Sequence, residues 1–238
     1  MKKLALIIPV YNEEEIIKKI VNDWKNILAK KTFDLIIVND GSKDKTKLIL
    51  DSLKKKINNI KILNKKNGGH GDAILLGYRY AIKKNYKFIF QVDSDNQFSS
   101  LDFKKLWIKR DKDYDLILGY RKDRKDSKIR LFLSKIILNF LINFFFQKNI
   151  KDLNTPFRLI KNKFLKKFIN NCKKKYLAPN ILMCLQADKI IQIPVQHFKR
   201  STGIINWSLK KILFFGIKLL IQIIDFKINS GDNKLLKF

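Results

Sequence analysis

Two rhythms of apolar residues run through the first 92 positions of the chain. Leu4 to Val10 is an unbroken apolar stretch, the pattern of a strand covered on both faces. Residues 13–29 then carry apolar side chains at helical spacing, through Ile16, Ile17, Ile20, Trp24, Ile27 and Leu28. A second buried strand is predicted over Asp34 to Val38, ended by the turn-forming Asn39-Asp40-Gly41-Ser42. Helix 43–56, strand 60–63, helix 71–84 and strand 87–92 continue the alternation. Four strands separated by helices predict an α/β fold, a mostly parallel central sheet flanked by helices, with ligands at the carboxyl ends of the strands.

The pattern changes after residue 125. Segment 131–147 has 12 apolar residues in 17, and segment 204–226 has 15 in 23, with Ser208, Lys211, Lys218, Gln222 and Asp225 on one face. Both are too apolar all round for an ordinary surface helix. Charges within 204–226 argue against a membrane span and favour an amphipathic helix lying in the interface; for 131–147 a core or oligomer helix is favoured. The converse reading stays open for each. These shifts divide the chain into 1–125, 126–203 and a membrane-associated or oligomerising tail, 204–238.

Composition narrows the partners. With 46% hydrophobic residues the chain can bury a sizeable core, which excludes wholesale disorder. A net charge of +30 favours an anionic partner: nucleic acid, a phosphorylated substrate or an acidic membrane surface. Lys, Asn, Ile and Phe are abundant together, as in A/T-rich genomes, so the charge is poor evidence for a nucleic-acid role and none is expected. Cys172 and Cys184 make neither a metal cluster nor a disulfide framework, which points to a reduced, cytoplasmic chain. The run Leu4 to Val10 is too short for a secretory signal.

Candidate chemistry gathers at the predicted strand ends. Tyr11-Asn12 and the three glutamates of the chain, Glu13, Glu14 and Glu15, follow the first strand; Glu14 and Glu15 have an alternative role as acids at a helix start. Asp40 follows the second strand, where an acid can accept hydrogen bonds from a ribose or base, or merely cap a turn. The strongest signal is Phe88 to Gln97, a buried strand delivering Asp93 and Asp95 two residues apart, then an amide at Gln97. Oxygen ligands so spaced suit Mg²⁺ or Mn²⁺ bridging a diphosphate. Asp111 and Asp113 share the spacing, but in a solvated stretch with no strand before them. Asn67 to Gly71 opens a helix and can present N–H groups to phosphate, yet it lacks the Lys-Ser/Thr of a Walker loop; His70 there reads as a polar helix start rather than a catalytic group. From 153 to 224 one acid, Asp188, stands against 14 Lys and Arg. Arg158 and Arg200 within this stretch are candidates for bidentate contacts to phosphate.

Pro9 to Glu13, Asn39 to Ser42, Gly69 to Gly71, Asp93 to Gln97, Gly119 to Arg121, Asp152 with Pro156 to Arg158, and His197 to Gly203, taken in order, resemble a family 2 glycosyltransferase over roughly residues 4–206. The subgroup resembled is the polyprenyl-phosphate (dolichol-phosphate) mannosyl- and glucosyltransferases. The resemblance implies a GT-A domain over 1–203, with a nucleotide-sugar half (1–125) and an acceptor half (126–203), and an inverting, metal-dependent transfer. Matched motif by motif, it implies that Pro9, Tyr11, Glu13, Val38 and Asp40 hold the nucleoside. Asp93, Ser94 and Asp95 would serve the diphosphate, with Asp93, Asp95 and Gln97 on the metal. Arg121 and Arg200 would contact phosphate or acceptor. The chain departs from the pattern at Asn39, where an acid is usual, and at Asn206, where a lysine is. The paired C-terminal membrane helices of some relatives are not expected.

The acceptor class follows from an absence of acids. A hydroxyl acceptor normally needs a carboxylate base, whereas a phosphate acceptor is already an anion and needs positive charge instead. The acid-poor second half therefore suits a lipid phosphate, with the enzyme peripheral on the cytoplasmic face of the membrane. Two other readings are compatible with the sequence: transfer to a sugar hydroxyl of a surface polysaccharide, and a non-catalytic nucleic-acid-binding protein.

Overall fold

Leu4–Val10 forms β1 with every residue buried, near the middle of a seven-stranded sheet. The structure, a computed structural model, describes residues 3–29, 32–122, 148–172, 174–199 and 209–229. Helix α1 (Ile17–Leu28), β2 (Phe33–Asn39), α2 (Thr46–Lys56), β3 (Ile60–Asn64), α3 (His70–Lys83) and β4 (Phe88–Gln91) follow. After a short 3-10 turn (Ser100–Asp102) come α4 (Phe103–Trp107), β5 (Leu116–Arg121), β6 (Arg158–Lys161), α5 (Asn162–Asn171), α6 (Pro179–Gln186), β7 (Ile190–Val195) and α7 (Leu209–Asn229).

The strand order is β3-β2-β1-β4-β6-β5-β7. Pairs β1–β2, β1–β4, β2–β3 and β5–β7 are parallel, and β6 runs against both β4 and β5. The chain builds outward from β1 to β3, then returns to place β4 on the other side of β1. A crevice opens where the order reverses, at the carboxyl ends of these strands. Alternation along β1 sends Ala5 and Ile7 to the face covered by α3, α5 and α6, and Leu4, Leu6 and Ile8 to the face covered by α1 and α2. The predicted mostly parallel sheet with flanking helices is observed.

Helices α1 and α2 start three to four residues later than the pattern predicts, at Ile17 and Thr46. The reason is mutual capping of the two loops before them. Asn12 N–H donates to Ser42 Oγ (3.0 Å), Lys43 N–H to Asn12 Oδ1 (2.8 Å), Glu14 N–H to Asp44 Oδ2 (3.1 Å) and Lys45 N–H to Glu14 Oε2 (2.7 Å). Glu14 thus serves the start of α2 rather than that of its own helix. Burial works to raise the Asp44 pKa, but the hydrogen bonds from Thr46 and Glu14 together outweigh it and hold the carboxyl below its ordinary value.

The predicted helix 131–147 lies outside the described residues. Of 204–226, the part from Leu209 is described within α7, and the helix has two different sides. Leu219, Ile223 and Phe226 are buried in the core beneath α5, where Phe226 meets Phe168 at 5.8 Å. On the other side Phe214, Ile217, Ile221, Ile224 and Ile228 are each at least half exposed. Their spacing of three and four residues makes one continuous apolar stripe. Among the described residues no helix is long and apolar enough to cross a membrane. Both cysteines are buried free thiols, and burial pushes Cys172 up to about 12.

Candidate active site

The register brings three loops to one edge of the sheet. Pro9 pairs with Val38 and Val10 with Asn39, while Ile7 lies opposite Gln91, so residues 11–13, 40–42 and 92–97 leave the sheet side by side. Tyr11 is 42% exposed at the mouth of this crevice. Glu13 is buried, its N–H on Thr46 Oγ1 (2.8 Å) and its carboxylate accepting from Ser94 Oγ (3.3 Å). That last bond ties the first loop to the Asp93–Asp95 turn. Asn12 and Asn96 both hold left-handed backbone, at φ 53° and 55°, which asparagine tolerates better than other side chains.

Asp93 leaves β4 with its side chain about a quarter exposed, and its Oδ1 lies 2.9 Å from His70 Nε2. Surrounding protein disfavours the imidazolium, but the Asp93 carboxylate, backed by Asp95 and Asp40, outweighs this and raises the His70 pKa. Asp95 Oδ1 accepts from Gln97 N–H (3.1 Å), closing a tight Asx turn. Gln97 in turn donates Nε2–H to the Phe198 carbonyl (3.1 Å), and Phe198 N–H returns to the Gln97 carbonyl (2.8 Å). A bridge between Phe98 and His197 extends this pairing. The start of the predicted segment 197–203 is therefore fastened beside the Asp93–Asp95 turn; Arg200 lies outside the described residues. A cavity of about 290 Å³ opens next to Asp93, between α1 and the loop after β4.

Asp40 is held by partners from the loop before α3. Its carboxylate accepts from Lys65 Nζ (2.5 Å), Gly68 N–H (2.9 Å) and Gly69 N–H (2.9 Å), and the residue is 3% exposed. Lys65 also pairs with Asp72 at 2.9 Å. Burial works against the ammonium, but the hydrogen bonds to Asp40 and Asp72 outweigh it and raise its pKa. This pair of acids around one lysine anchors the Gly68-Gly69 turn that starts α3. Replacing Asp40 by Ala would leave the Gly68 and Gly69 N–H groups without their acceptor and Lys65 with only Asp72 as its carboxylate partner, so urea denaturation should report a loss of roughly 2–4 kcal/mol. An unchanged midpoint would refute the anchoring role.

Three further site candidates are buried. Val38 is fully buried, and its side chain packs toward α3, near Gly77. Pro9 is likewise buried within β1. Arg158, expected at phosphate, is fully buried, and its guanidinium donates to the carbonyls of Thr155 (2.9 Å), Asn180 (2.9 Å) and Leu153 (3.3 Å). Arg121 does reach the edge, but it is clasped by Asp152 through Nε (2.7 Å) and one terminal nitrogen (2.8 Å). The carboxylate offsets its charge. Lys65 and Asp72 had no local signal in so Lys-rich a chain; the glycines around His70 marked its neighbourhood but not its contact with Asp93.

Residues 5–172 match the sequence pattern of glycosyl transferase family 2. The chain belongs to that family. An uncharacterised protein of Methanocaldococcus jannaschii is 36% identical over 175 residues, covering 68% of this chain and 73% of its own. Glucosyl-3-phosphoglycerate synthase from Mycobacterium tuberculosis, solved with phosphoglyceric acid, superimposes with a TM-score of 0.68 at 13% identity, over 94% of this chain and 80% of its own. The S. aureus TarS fragment solved with UDP-GlcNAc gives 0.59 at 19% identity, over 92% and 66%. These likenesses establish the GT-A glycosyltransferase fold. The family 2 membership makes the chain a glycosyltransferase and removes the non-catalytic reading.

Within that fold the donor set at Asp93 and Asp95 is two carboxylates on one turn, oxygen chemistry that fits Mg²⁺ or Mn²⁺. No group of three or more His, Cys, Asp or Glu suited to a metal occurs among the described residues.

Proposed function

We propose that this family 2 glycosyltransferase moves a sugar, with inversion, from a nucleotide-activated donor to a polyprenyl phosphate, using Mg²⁺ or Mn²⁺, while resting on an anionic cytoplasmic membrane face. The carrying observation is the state of the acids in the acceptor half. Among its described residues Asp152 is clasped by Arg121, and Asp188 lies at the opposite end of the sheet, beside Asp115. Neither suits a base for a hydroxyl acceptor, and a phosphate monoester needs none. Asp93 and Asp95 would hold the ion, which when bound neutralises charge on the departing diphosphate. Tyr11, Glu13 and Ser94 line the crevice toward the nucleoside, and Arg200 would supply phosphate contact. A structural neighbour solved with Mn²⁺, UDP and glucosyl-3-phosphoglycerate supports a metal-assisted donor site.

The membrane part rests on α7. Its exposed stripe from Phe214 to Ile228 is apolar, Lys218 stands over Phe214 at 4.3 Å, and Asp225 is neutralised by Lys174 at 2.7 Å. An apolar face with basic flanks fits an anionic lipid surface, and the chain's +30 charge opposes self-association through this face.

Two measurements test the reading. Single-turnover transfer from a panel of nucleotide sugars should run to polyprenyl phosphate and stop with EDTA; transfer to a glycan hydroxyl instead would overturn the acceptor. Vesicles containing phosphatidylglycerol should float the wild type at low salt. Ile217→Ser/Ile221→Ser/Ile224→Ser should stay at the bottom of the gradient, because roughly 1.5–3 kcal/mol of burial is lost per side chain. Equal flotation of both would remove α7 from the membrane.

A further inference from the structure

Helix α7 is joined to residues 174–179 by several polar and ring contacts. From α7, Gln222 Oε1 accepts the Leu177 N–H at 2.7 Å, and Asp225 pairs with Lys174 at 2.7 Å. Asp225 also accepts from the Tyr176 hydroxyl at 3.4 Å, and Phe226 meets the Tyr176 ring edge-on at 5.6 Å. Burial first, and then Asp225, push Tyr176 up to about 12, so its hydroxyl keeps its proton at neutral pH.

The other side of the segment lies on the first turn of α3. A Cβ at Gly71 would stand 2.2 Å from the Tyr176 carbonyl oxygen and 2.9 Å from that of Leu177. Only glycine allows so close an approach. Lys175 reaches Asp72 at 3.5 Å, and Asp72 shares Lys65 with Asp40. His70, adjacent to Gly71, touches Asp93. A continuous series of packed and hydrogen-bonded groups therefore runs from Gln222 and Asp225 to the turn proposed to take the diphosphate.

We propose that residues 174–179 are a positioning strap: α7 presses them onto Gly71 and so sets where His70 and the Gly68-Gly69 turn stand relative to Asp93. Gln222, Asp225 and Gly71 are positioning residues, acting through the strap without touching substrate. The proposal rests on the reading of Asp93 and Asp95 as the donor site. It gives the C-terminal helix a part in donor binding that is separate from its outward apolar stripe.

Titration calorimetry with Mn²⁺ and UDP, GDP, CDP or ADP, taking whichever binds the wild type most tightly, tests it on the full chain. Gln222→Leu removes the acceptor for Leu177 N–H and should weaken diphosphate binding about 3- to 30-fold. Gln222→Glu keeps an acceptor oxygen and should restore affinity to within about twofold, which a merely space-filling role would not require. Gly71→Ala should weaken binding from the other side of the strap. Hydrogen exchange of the amides at 69–73 should quicken in Gln222→Leu and Gly71→Ala and stay slow in Gln222→Glu. Wild-type affinity and exchange in Gln222→Leu, or a Gln222→Glu as weak as Gln222→Leu, would overturn the strap. A wild type that binds none of the four diphosphates would instead overturn the donor site on which the strap depends, and the strap with it.

Discussion

An Asp95→Asn variant is expected to lose sugar transfer by about 10²–10³-fold or more, while its melting temperature stays within a few degrees of the wild type. Asp95 stands at the carboxyl end of a buried strand, and Oδ1 already closes the Asx turn with Gln97 N–H. An asparagine oxygen can keep that hydrogen bond, so the turn survives. What is lost is one negative charge facing the place proposed for a divalent ion, and hard cations discriminate strongly against a neutral amide in place of a carboxylate. Turnover should be measured across a Mn²⁺ titration. Partial recovery at high Mn²⁺ would identify weakened ion binding as the cause. Wild-type turnover at low Mn²⁺ would remove Asp95 from the ion site.

The second large effect is on stability, at Arg158. Arg158→Ala should destabilise the fold by roughly 3–5 kcal/mol, read by chemical denaturation. The guanidinium is fully buried and holds the carbonyls of Leu153, Thr155 and Asn180, stitching the entry to β6 onto the start of α6. Alanine would leave these acceptors unsatisfied and open a cavity as large as the side chain. Arg158→Met refills much of the volume without the donors, so it should recover only part of the loss. If Arg158→Ala instead kept full stability and lost only transfer, the residue would belong to the acceptor site after all.

Both predictions turn on the difference between what local pattern reveals and what distant contacts decide. The four strands of the first half and the three helices between them were readable because each signal is local. A strand covered on both faces must be apolar throughout, a helix between strand and solvent must repeat every three to four residues, and the turn at the strand's carboxyl end must be polar. Those same constraints placed Asp93 and Asp95 on a turn at the sheet edge, and the structure puts that turn beside Tyr11 and Glu13.

Side-chain destinations were not readable in this way. Arg121 and Arg158 look alike in sequence, yet one is clasped by Asp152 at the site edge and the other is sealed among carbonyls. Asp40 resembled a ligand-facing acid, but its partners are Lys65 and the Gly68 and Gly69 amides, more than 20 residues further on. The apolar excess of 204–226 announced a helix with something to cover, but not that Leu219, Ile223 and Phe226 would pack on the core while Ile217, Ile221 and Ile224 faced outward. Local sequence determined which segments are strands and helices and where the polar turns fall, because backbone periodicity and burial are set within a few residues. Only tertiary structure decided which charged groups meet a ligand and which meet each other, because a buried charge is tolerated only beside a partner, and here the partners come from distant parts of the chain.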